Sequence, residues 1–126
     1  MRLKRMKDTY RALFASARMY RWTAALSAVL VLLMIALPLV RILPAIDGDP
    51  FIPLHYNIYF GVDQFGPWYY VFSIPGIGTA LLLINLVFEG VYFRREHVLA
   101  RFFATATLIA EIVLFVSTVF IVLLNI

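Results

Sequence analysis

The chain has 126 residues, of which 63% are hydrophobic and 14% charged. A typical soluble domain is about 45–50% apolar and about 25% charged, and a domain this small has too little interior to hide the surplus. The absence of cysteine excludes disulfides, thiolate metal sites and cysteine nucleophiles, and the net charge of +4 is no sign of nucleic acid, because Arg2, Lys4, Arg5, Lys7, Arg11, Arg18 and Arg21 all bunch before Ala24, beside an apolar run.

Residues 1–22 are basic and periodic. Leu3, Met6, Tyr10, Leu13, Phe14 and Ala17 recur at helical spacing, which predicts an amphipathic helix on the cytoplasmic face of a membrane, against anionic lipid. The apolar run from Ala24 to Val40 exceeds a usual signal-peptide core, and Pro38 and Arg41 stand where a cleavage site would be. It reads as an uncleaved anchor. The first span is placed at residues 23–43, just long enough for a hydrocarbon core of about 30 Å. Arg41 can snorkel to the headgroups at its far end.

Residues 44–66 form a structured outer loop. It is punctuated by Pro44, Pro50, Pro53, Gly48, Gly61 and Gly66. Its charges are Asp47, Asp49 and Asp63, with no lysine or arginine, so it lies opposite the basic N-terminus. Many of its residues are apolar, which predicts that it rests in the interface or on helix ends. The second span is placed at residues 67–93, opened by Trp68, Tyr69 and Tyr70 as an interfacial aromatic belt. Pro75, Gly76 and Gly78 in its outer half predict a kink or a close helix contact. A net-basic link, 94–98, holds Arg94, Arg95, Glu96 and His97. A third span at residues 99–124 then returns as an antiparallel partner of the second. Ala24 with Ala28, and Ala106 with Ala110, are small-residue pairs suited to helix contact. The predicted fold is thus a single all-α membrane domain with three transmembrane helices, N-terminus cytoplasmic and C-terminus outside.

The bilayer makes a few polar groups expensive. Glu111 falls near the middle of the third span, where a carboxylate costs a few kcal/mol on insertion scales (about 2.5–3.5). It shares a helix face with Thr107 and Thr118, while Gly78, Asn85 and Glu89 stack along one side of the second span. Counting inward from the link at the helical rise puts Asn85 and Thr107 at about the same depth, roughly 12 Å, and Glu111 one turn deeper, near Gly78. The two faces are therefore expected to meet. Two roles fit Glu111: interhelical glue, at about 0.6 kcal/mol per hydrogen bond, or a proton- or ion-linked site. Glu89, close to Arg94, Arg95 and Arg101, is expected to be a solvated interfacial carboxylate, and His97 to be solvated as well.

The outer loop carries Pro53, His55, Tyr56 and Asn57, then Gly61, Asp63 and Gly66. Proline, any apolar residue, histidine, aromatic and asparagine after a first span, followed by an acidic residue and a glycine, resembles a bacterial membrane-domain family. That family includes the N-terminal part of SdpI-type immunity and signalling proteins. Gly61 is displaced by one position from the family pattern, and the resemblance covers the first two spans and their loop. It implies a multi-span protein of a bacterial inner membrane. Without the family, Pro53 stiffens the chain before His55, which can bond Asp47, Asp49 or Asp63 or cap a helix end. One histidine and three aspartates could hold a hard cation, but their spacing matches no ligand pattern. No metal or cofactor is expected.

Catalysis has no support in the sequence. Ser16, Ser27, Ser73 and Ser117 lack a histidine at a recognisable spacing, and no G-x-S-x-G or H-E-x-x-H occurs. The sequence favours a non-catalytic interaction or accessory protein with a membrane-protein partner, with an immunity or signalling role implied by the resemblance. A second reading is an oligomeric transport element around Glu111 and Asn85. A third reading, an intramembrane enzyme using Glu111, His55 or both, is the least favoured, since the two lie at different depths.

Overall fold

The computed structural model describes residues 2–48 and 50–126; the side chain of Ser16 and all of Asp49 lie outside the described residues. Helix α1 spans Arg2–Ser16, α2 Arg18–Arg41, α3 Ser73–Tyr92 and α4 His97–Leu124. Between α2 and α3 run a short 3-10 turn, strands β1 (Phe51–Asn57) and β2 (Gly61–Pro67), and a second 3-10 turn over Trp68–Phe72. Three helical stretches, Arg18–Ala45, Trp68–Tyr92 and His97–Leu124, are long and apolar enough to cross a membrane. The expectation of an all-α chain is corrected by the two strands.

The long helices pack on a seven-residue repeat. Tyr20, Ser27, Val31, Met34 and Pro38 are buried on α2, and Ala100, Ala104, Thr107, Glu111, Thr118 and Val122 on α4. Alternating steps of three and four keep one face of each helix on its neighbour. Helix α4 lies along both α2 and α3, and is the element that joins them. The small residues at the tight crossing are Ala100 and Ala104, whereas Ala106 and Ala110 are only partly buried. Outward from this seam the helices carry Leu32, Val40, Val98, Phe102 and Phe120 well exposed. A continuous apolar surface of this kind has no cover in water and matches a lipid environment.

Two clusters close the ends. At the basic end Leu13 of α1 joins Tyr20, Phe93, Ala100 and Ala104. Ala17 has extended backbone (φ −144°, ψ 128°), which breaks the chain into α1 and α2 with no proline or glycine to announce it. The apolar stripe of α1 is consequently divided. Tyr10, Leu13 and Phe14 turn toward the bundle, while Leu3 and Met6 remain exposed. At the other end Ile42, Ile52, Val71 and Val122 form the second cluster, seating the hairpin on the helix ends. Pro75 sits in the first turn of α3, where its missing N–H leaves no helical bond unmade.

Candidate functional site

The sequence-predicted residues fall into two groups that the fold keeps apart. The first is the β-hairpin. Strands β1 and β2 pair antiparallel from Phe51 opposite Pro67 to Asn57 opposite Gly61. Register shifts on both sides of His55 leave Leu54 as an extra residue on β1 and Asp63 on β2. Asp63 thereby lies beside His55, with Nδ1 to Oδ1 at 2.7 Å in a solvent-exposed pair. Asn57 Oδ1 accepts the backbone N–H of Tyr59 at 2.9 Å, and Gly61 takes φ +76°, the left-handed position that ends a three-residue hairpin loop. A Cβ on Gly66 would stand 2.6 Å from Leu54 Cδ1 and 3.1 Å from the Tyr70 ring. Pro53 lies beside the bulge, and its carbonyl accepts Asn125 Nδ2 from the end of α4 at 2.8 Å.

Each of these residues except Tyr56, which is exposed, therefore has a task in shaping or anchoring the hairpin. The tip, Ile58, Tyr59 and Phe60, is 78%, 82% and 83% exposed. Beside the strands, a groove of about 590 Å³ is lined by Leu54, His55, Gln64, Ile74, Ser117 and Phe120. Among the described residues no three histidine or carboxylate side chains converge in a way that would hold a metal.

The second group lines the seam of α2, α3 and α4. Asn85 Nδ2 donates to Thr107 Oγ1 at 2.7 Å, and Thr107 Oγ1 donates to the Phe103 carbonyl at 2.7 Å. One turn deeper, Glu111 is 0% exposed. Its Oε2 stands 2.8 Å from the place where a Cβ on Gly78 would be, with Met34 Cε 3.0 Å from the same point. The carboxyl occupies the space that glycine leaves. Thr118 completes the face, buried, with its hydroxyl on the Leu114 carbonyl at 3.0 Å. Neither oxygen of Glu111 has a hydrogen-bond partner among the described residues. The Ser27 hydroxyl and Glu89 Oε2 are buried and unpartnered in the same way.

Glu89 corrects the expectation of a solvated carboxylate: it is 3% exposed and forms no ion pair among the described residues. Helix α1 packs on this stretch of α3. Tyr10 donates its hydroxyl to the Leu86 carbonyl at 3.1 Å and lies over Gly90, where an added Cβ would meet the phenol oxygen at 2.9 Å. Burial, and then the charge of Glu89 once it ionises at alkaline pH, push the Tyr10 phenol above its ordinary 10.0. Sequence reading missed this contact because Tyr10 and Leu86 are 76 positions apart and nothing local marks them.

Comparison with family models, with curated proteins and with solved structures finds no match.

Proposed function

We propose that this chain is a non-catalytic interaction protein of a bacterial inner membrane, which docks a second membrane protein through its β-hairpin. The observation that carries the reading is the aromatic tip. Ile58, Tyr59 and Phe60 are almost fully exposed on a hairpin braced to α4 through Asn125 and seated on Ile42, Val71 and Val122. A rigid aromatic anchor loses little freedom on binding, which is what an interface hot spot requires. The acidic, lysine-free segment around the hairpin and the basic character of α1 support an orientation with the hairpin outside and α1 in the cytoplasm. At the basic end Arg18, Arg21 and Trp22 line one surface groove, a combination suited to anionic headgroups. The resemblance of the Pro53–Asn57 motif to SdpI-type proteins supports an immunity or signalling role.

The test is extraction into native nanodiscs followed by mass spectrometry, for the natural chain and for a variant with Ile58, Tyr59 and Phe60 replaced by serine. A stoichiometric heterologous partner, lost in the variant, is expected. A chain that comes out alone, or a partner indifferent to the tip, overturns the reading. A reporter fused at the C-terminus should read outside; a cytoplasmic signal breaks the topology. The second reading, an oligomeric transport element around Glu111 and Asn85, draws on the two unpartnered oxygens of Glu111 and gains if the chain is recovered as a homo-oligomer.

A further inference from the structure

We propose that Glu111 and Glu89 form a proton-loading pair inside the bundle, filled from the basic end beneath Tyr10. This goes beyond the docking role and does not depend on it. Both carboxyls are almost wholly buried, and three of their oxygens lack a donor among the described residues: Oε1 and Oε2 of Glu111 and Oε2 of Glu89. An ionised carboxylate held away from water without donors is so costly that the group neutralises instead. A proton is the neutralising species that fits. A hard divalent cation would require about six or more oxygen ligands, and neither oxygen of Glu111 has a polar partner at all among the described residues.

The groups between the two glutamates make a polar route. Met34 lies level with Gly78, so Ser27, seven residues back along α2, lies level with Asn85, seven residues on along α3. That level holds the Ser27 hydroxyl, unpartnered, and the Asn85–Thr107 hydrogen bond. From Glu89 to the Gly78 level is roughly 16 Å along α3. Hydroxyls at the middle level, with transient water, divide that distance. The net step is simple: one proton leaves water at the basic end, passes through Glu89 and forms an O–H bond on Glu111, with no electron moved.

No fixed charge among the described residues competes for Glu111. Helix α2 presents Ser27, Val31 and Met34 on its buried face, and α3 presents Gly78 and Asn85. Arg101 and His97 on α4 lie roughly 15 Å or more toward the basic end. The titratable groups of the same end are Tyr10 of α1, which feels the charge of Glu89, Tyr20 and Arg21 of α2, the link residues Arg94, Arg95 and Glu96, and His97 and Arg101 of α4; the one ion pair among the described residues is elsewhere, between His55 and Asp63. Tyr10 is the cover over this mouth.

Infrared spectroscopy of the full chain in lipid nanodiscs tests the pair at neutral pH. The natural chain is expected to show the carbonyl stretch of a protonated carboxyl, shifting in D2O. Glu111→Gln should lose the Glu111 component and leave at most that of Glu89, and Glu89→Gln should keep the Glu111 component but slow its deuteration several-fold. No protonated-carboxyl band in the natural chain, a band undiminished in Glu111→Gln, or deuteration unaffected by Glu89→Gln each overturns the proposal. Should Glu111→Gln fail to fold, an apolar carbodiimide on the natural chain decides the same question. The carboxylic O–H adds across its C=N bond, so an adduct mapped to Glu111 is expected, and its absence there overturns the proposal.

Discussion

The hairpin and the seam treat polar side chains in opposite ways. In the hairpin, polar groups are used up by local geometry: His55 on Asp63, Asn57 on the Tyr59 amide, Asn125 on the Pro53 carbonyl. In the seam, Asn85 and Thr107 satisfy each other, yet Glu111, Glu89 and Ser27 keep oxygens with no partner among the described residues. Polar residues of the first kind stabilise the fold that contains them. Those of the second kind cost stability where they stand, and natural proteins tolerate such groups chiefly where function requires them.

That contrast can be broken most severely at Gly78. Gly78→Leu should destabilise the bundle by about 3 kcal/mol in reversible unfolding, by forcing α3 off Glu111 and Met34. Partial rescue by Glu111→Ala would tie the loss to that contact, and no rescue would place it elsewhere. Next comes Glu111 itself. If its carboxyl costs the fold, Glu111→Leu should raise stability by about 2 kcal/mol, the usual cost of an unsatisfied buried polar group. A destabilised variant would mean that the seam supplies donors to the carboxyl and is no different from the hairpin. In the hairpin, Gly61→Val should cost about 1 kcal/mol, because a β-branched residue is strained at φ +76°; a neutral result would show the loop turning by another route.

The smallest effect sharpens the boundary between the regions. The folded-state value of the Tyr10 phenol lies above its ordinary 10.0. Its contribution to docking of α1 is therefore full below about pH 10 and is lost as pH rises through the higher folded value. The protection of α1 from hydrogen exchange, taken relative to the base-catalysed intrinsic rate, should fall over that alkaline range, and Tyr10→Phe should remove that fall.

Much of the seam was legible in the sequence because it obeys one period. Helical rise alone put Asn85 opposite Thr107 and Gly78 near Glu111, and those are contacts of the fold. The hairpin was less legible. Its two bulges disrupt the alternation by which a strand is recognised, and Pro53 argues against a strand in any window that contains it. The break at Ala17 and the burial of Glu89 were not legible at all, since each is decided by how α1 packs on distant residues. The Pro53–Asn57 motif was visible as a pattern, but its tasks in bulge and turn required the pairing.

The paired bulges bear on how this segment can change length. Leu54 puts β1 one residue ahead of β2, and Asp63 returns the register, so Tyr56 meets Val62 and Asn57 meets Gly61 as though neither extra residue were present. The two strands work like a vernier, in which an offset on one scale is read back on the other. A deletion in either strand alone would leave that offset uncorrected all the way to the tip, so natural variation in strand length should arrive as matched pairs, one residue from each side.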